Sequence, residues 1–279
     1  TTANRGVDLG LNVGDVNQTN NVSLLGRDGV TISNSIYVAQ NTNSATRTIG
    51  LDGTGTTTFN NEIYLDGTLT TTAASGGNVI ISGNVRTNDP GAGGGLTKIG
   101  AGTATLSGNN TYSGTTTVSE GALRAATNSA LGGTGGSTTV SSGAALEFSN
   151  NITTAEALSL AGTGISSGGA LRNISGNNTN SGAITLTASS RINSDAGTLA
   201  LSGGITGTGY ALTVGGAGDV NISTSGINTS TAGTLAKDGA GVLTVGVAGN
   251  YTGGTTLSSG TLRAGNNSAL GTGSLALNG

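Results

Sequence analysis

Residues Leu96 to Gly132 read LTKIGAGTATLSGNNTYSGTTTVSEGALRAATNSALG, and residues Leu235 to Gly271 read LAKDGAGVLTVGVAGNYTGGTTLSSGTLRAGNNSALG. The two stretches align at a constant offset of 139 without a gap and share 20 of 37 positions. The shared positions include Lys98 with Lys237, Gly100-Ala-Gly102 with Gly239-Ala-Gly241, Tyr112 with Tyr251, Gly121 with Gly260, and Leu123-Arg124 with Leu262-Arg263. Short alternating runs such as Ala104-Thr-Leu106 and Val242-Leu-Thr-Val245 carry the period of two that marks strands. Between the copies lie weaker echoes, among them SGNNTNSGAITL at Ser175 to Leu186, with further SGN or SGG turns at Ser82 and Ser202.

These turns recur at roughly multiples of 23 to 27 residues, so the 139-residue offset holds about six units, within the range of solenoid repeats. One such unit cannot bury its own apolar face, whereas stacked units align Leu, Ile and Val in interior ladders and pair every strand above and below. The expected fold is all-β: a single continuous right-handed parallel β-helix over 1–279, the hand following from crossover chirality. Roughly a dozen coils at ~4.8 Å each make a rod on the order of 58 Å long. Its expected parts are N-terminal coils (1–93), the first repeat copy (94–148), intermediate coils (149–232) and the second copy (233–279).

Composition agrees. The 53 glycines, one proline and 8% charged residues leave little material for ion-paired helices. Gly and Asn suit corners that demand positive φ. Only seven aromatic residues argue against a broad aromatic-lined cleft, and the core is expected to be thin and aliphatic. The net charge of −3, with ten basic residues placed singly, speaks against nucleic acid as a partner. No apolar stretch approaches the ~20 residues of a membrane-spanning helix, so membrane insertion is not expected. The chain starts at Thr1, contains no Met and shows no signal-peptide pattern, as expected of a processed product, a fragment or a stretch of a longer polypeptide.

The run GAGTATLSGNNTYSGTTTVSEGALRA, with GAGVLTVGVAGNYTGGTTLSSGTLRA, resembles the autotransporter passenger-associated β-strand repeat of bacterial surface proteins. Residues Gly29 to Val85, with TISNSIYVAQ and RTIGLDGTGTTTFNNEIYL, also read like the region that often precedes that repeat. The resemblance implies a secreted or surface-displayed parallel β-helix, often a stalk within a much longer protein. No translocator barrel follows within these residues, so the resemblance leaves the export route open.

Histidine and cysteine are absent, which excludes Ser-His-Asp and Cys-His catalysis, imidazole sites and thiolate metal sites. Carboxylates remain, because two acids ~5–9.5 Å apart can hydrolyse a glycoside. None of the thirteen acids is adjacent to another in sequence, and they read as solvated turn carboxylates. GGAGDVNIS at Gly215 to Ser223 has a likeness to calcium-binding nonapeptides, but Asp219 directly follows Gly218, the wrong register. Lys98, Lys237, Arg124 and Arg263 could bind an anionic glycan; repetition at a fixed coil position favours corner packing or a bond to the next turn. Tyr112 and Tyr251 read likewise as coil covers. The N-x-S/T triplets at Asn17, Asn21, Asn109, Asn151, Asn177 and Asn221 are what chance gives in this composition.

No catalytic, cofactor-binding or metal-ligating residue is therefore assigned, and no cofactor. The expected role is a non-enzymatic extracellular structural protein of a bacterial cell surface, polymerising head to tail with itself because open strand edges template further strands. Contacts are expected at Val7, Leu9, Leu11 and Val13 at one end and at Leu270, Leu275 and Leu277 at the other. The alternatives are an unpolymerised stalk or adhesin, meeting surface glycans or a host surface, and a carbohydrate-active β-helix enzyme with an acidic lateral groove.

Overall fold

Alternation of apolar and small polar residues becomes strand, and glycine becomes corner. In the computed structural model, which describes residues 11–13, 20–40, 45–89 and 93–279, the strand pairings are parallel throughout. The strands are short, the longest being Ile184–Ser194, and the one helical element among the described residues is a 3₁₀ turn at Ile165–Ser167. The strands wind into a parallel β-solenoid of about 11 turns, as expected. Strand pairing fixes the coil and its register; it does not fix the hand.

Each turn offers three faces. On the first, Val22–Gly26 stacks on Arg47–Leu51, then Leu69–Ala73, Leu96–Ile99, Thr116–Val118 and onward to Ile227–Asn228. The second runs from Thr31–Ile32 through Thr103–Leu106, Ala122–Ala125 and Ala145–Phe148 to Leu275–Leu277. The third holds Ile36–Val38, Ile63–Leu65 and Val85–Thr87 in the N-terminal half, and Asn178–Asn180 to Thr261–Ala264 in the C-terminal half. Inward rows such as Leu123, Leu146 and Leu171 form the buried aliphatic core.

Coil length varies. The coil from Leu69 to its partner Leu96 is longer than the coil from Leu96 to Thr116, and the coil from Leu235 to Thr255 in the second copy is as short as the latter. The two repeat copies thus form tighter coils than the spacing of their turns implied. Unequal coils also rotate one copy against the other. Leu96–Ile99 lies on the first face, but its counterpart Leu235–Lys237 stacks through Leu212–Gly215 in the column of Ala122–Ala125, on the second. The offset between the copies therefore amounts to whole turns plus one face.

Candidate functional site

The matched repeat residues are spent on holding corners. Lys98 and Lys237 point inward and are buried. The Lys98 ammonium donates to the carbonyls of Ile99 (2.9 Å), Gly100 (2.7 Å) and Glu120 (3.1 Å), the last in the following coil. Lys237 repeats the pattern with Asp238, Gly239 and Ser259. Burial pulls the Lys98 pKa down to about 8, against the opposing pull of Glu120, and lowers that of Lys237. Tyr112 and Tyr251 are also buried, each hydroxyl sharing a hydrogen bond with a threonine of the same coil, Thr116 at 2.7 Å and Thr255 at 2.8 Å. None of these four side chains is presented to a ligand. Arg124 and Arg263 do point outward, but the one-face rotation puts them on different sides of the rod, so the two copies cannot combine into one stripe.

What the fold does bring together is a ladder of charge on the second face. Arg124, Glu147, Arg172 and Asn193 occupy one outward register row. Arg124 donates through Nε (3.0 Å) and Nη2 (2.8 Å) to Glu147 Oε2, and Arg172 Nη1 reaches Glu147 Oε1 at 3.5 Å. Arg172 also grips Asp195 at 2.7 and 2.6 Å. Asn193 links Asp195 to Arg191, whose guanidinium clasps Asp238 with two bonds of 2.7 Å. That clasp needs Gly215: a Cβ there would occupy the space of Asp238 Oδ1 and Arg191 Nη2. Arg191 holds the Asp238 carboxyl below the usual carboxylate range, and Asp195 raises the Arg172 pKa further.

Exposed ion pairs contribute little, but Glu147 is only 4% exposed beneath its two arginines. Glu147→Ala leaves those guanidinium groups facing each other without their shared acceptor. The expected loss is about 2 kcal/mol, read as a lower denaturant midpoint, whereas Arg124→Ala, at the ladder's exposed end, costs under ~1 kcal/mol. Equal losses for the two variants would show that the ladder does not act as a unit.

A buried carboxyl stands apart from the ladder: Glu156 accepts a 2.9 Å bond from Thr138 Oγ1, and burial pushes its pKa up. Asp219 accepts from the Val242 N–H at 2.9 Å, which uses it as a link between coils. Among the described residues no group of three acids gathers as a metal would require.

At the C-terminal end, Leu275 and Leu277 continue inward rows whose members Leu212, Leu235 and Lys237 are buried, yet they are 52% and 71% exposed. Leu270 is half-buried against the core. Leu11 and Val13 lie in a strand paired with Ile36–Val38; Val7 and Leu9 fall outside the described residues.

Arg124, Glu147 and Arg172 follow one another at one coil each, so alternating charge at the coil period was the sequence signal for the ladder. Reading the charges as isolated passed over it.

Comparison with known proteins agrees with this geometry. The sequence model of the passenger-associated-transport-repeat matches residues 96–125 and 235–264, the strands, corners and lysine clamps just described. Each match covers one copy of the internal repeat. No curated protein and no solved structure matches it.

Proposed function

We propose that this chain is part of an extracellular stalk on a bacterial surface, a non-enzymatic passenger whose task is reach and stiffness. The observation that carries the reading is the use made of the repeat: its lysines and tyrosines are buried inside a parallel solenoid, the lysines bind each coil to the next, and the glycines let the coils approach. A histidine- and cysteine-free sequence supports a role without catalysis. The repeat's occurrence in passengers supports secretion or surface display.

The exposed leucines favour a second, finer reading. Leu275 and Leu277 make an apolar shelf and an unshared strand edge among the described residues, and such an edge accepts another strand. A further coil satisfies it in a stalk; a second copy of the chain satisfies it in a filament.

Electron microscopy of the purified chain separates the two. Isolated rods on the order of 50 Å long, from about 11 turns at ~4.8 Å, are expected of the stalk. Filaments repeating at one rod length, abolished by Leu277→Lys, are expected of self-assembly through this shelf. Compact, non-elongated particles would contradict both.

A further inference from the structure

The first face carries a row that neither the stalk nor its ends explain. From Ser23 to Thr206, successive coils place Ser or Thr at one outward register position without a break, with Thr97, Thr117, Thr139, Ser159, Thr185 and Thr206 in its C-terminal part. The sequence signal is again the coil period. In mid-face the row widens, because Thr115 and Ser119 flank Thr117, and Ser137 and Ser141 flank Thr139, at the next outward positions to either side. Strand geometry sets the array at ~4.8 Å along the rod and ~6.6 Å across it.

Three observations bear on what it binds. First, the hydroxyls of Thr97, Thr117, Thr139 and Ser159 find no hydrogen-bond partner among the described residues; Thr185 and Thr206 share one contact at the 3.5 Å limit, and Thr206 Oγ1 also donates to the Ile184 carbonyl at 3.4 Å. Thr48 and Thr70 lie in this row with unpartnered hydroxyls but are only 7% exposed, so the accessible run is Thr97 to Thr206. Second, among the described residues the one charged outward position on the first-face strands from Ser23 to Asn228 is Arg191, where Ile184–Ser194 has already passed onto the second face, and the ion pairs gather on the other faces. Third, no aromatic ring lies on those strands: Tyr37 and Tyr64 stack on each other on the third face, and Tyr112 and Tyr251 are buried.

Stiffness matters as much as chemistry, since inner first-face strands are hydrogen-bonded on both edges. A protein partner would look for large apolar or charged anchors, and among the described residues the first-face strands expose two large apolar side chains, Leu25 and Ile99, set three coils apart. A sugar polymer would look for a ring to stack on. A rigid, uncharged lattice of hydroxyl and methyl groups instead suits a ligand that is itself a lattice of hydrogen-bond donors and acceptors. Charged groups would hold competing hydration shells.

We infer that the first face binds crystalline water: the row of Thr and Ser hydroxyls is an ice-binding surface. The spacings are comparable with the oxygen repeats on ice planes, and the alternating methyl and hydroxyl groups hold water in an ordered layer that merges with the crystal. This inference is independent of the stalk reading.

Slow growth of ice from a solution of the fluorescently labelled chain, together with the gap between melting and freezing temperatures, tests it. Uptake into the ice and an open gap are expected. Thr139→Lys with Thr185→Lys, both exposed and outward, abolishes both effects, while Thr179→Lys on the third face changes neither. Thermal unfolding confirms that the variants remain folded. Exclusion of the parent chain from ice overturns the inference, as does undiminished uptake of the double variant. Retention on a crystalline polysaccharide without uptake into ice overturns it too, and assigns the face to a glycan.

Discussion

Gly121→Val is expected to destabilise the solenoid by about 4 kcal/mol, seen as a lower denaturant midpoint and as loss of hydrogen-exchange protection in the coils on either side. Gly121 has φ +63°, a region that costs a β-branched residue roughly 1–2 kcal/mol. A Cβ there would also drive into the carbonyl oxygens of Gly100 and Gly102, one coil below, and against the Lys98 ammonium. These are backbone atoms in a paired layer and cannot step aside cheaply. Gly143 supplies the control: its φ is +85°, but nothing lies within 4 Å of an added Cβ, so Gly143→Ala is expected to cost about 1 kcal/mol. Gly260 repeats the Gly121 geometry in the second copy. Because solenoid stability is a sum of neighbouring interfaces, Gly260→Val is expected to fray the C-terminal coils and leave the central ones protected. Equal costs for Gly121→Val and Gly143→Ala would show that close approach of the coils is not what selects glycine.

The solenoid was legible because its evidence is local and repeated. Leu123, Leu146 and Leu171 recur at the coil period, and a constant offset exposes two copies of one block. The one-face rotation between the copies was not legible. It depends on the summed lengths of unequal coils, including the excursion through Gly162 to Gly169 that lengthens the coil from Leu158 to Ile184. Matching sequence therefore implied matching placement, and the stacking denies it. The Arg124–Glu147–Arg172 ladder and the first-face hydroxyl row needed the register, since their members are neighbours only across coils.

Lys98→Met is expected to lower stability by about 3 kcal/mol. Two opposing effects decide the sign. Burial penalises the ammonium, which is why its pKa falls to about 8, and methionine removes that penalty while keeping the apolar stem. Methionine also leaves the carbonyls of Ile99, Gly100 and Glu120 without their donor at a crowded corner. Three carbonyls orphaned at that corner cost more than relief of the desolvation penalty returns. The pH profile gives a second readout. Between about 8, where the folded lysine titrates, and about 10.4, where an unfolded one does, the unfolded chain holds more protons, so the parent gains stability as pH rises. K98M lacks that rise. A lysine that served as a glycan contact would behave otherwise: K98M would unfold like the parent, with an unchanged pH profile, and show its effect only in binding. The three carbonyls around Nζ make the first outcome the expected one, and Lys237→Met should repeat it one face further round the rod.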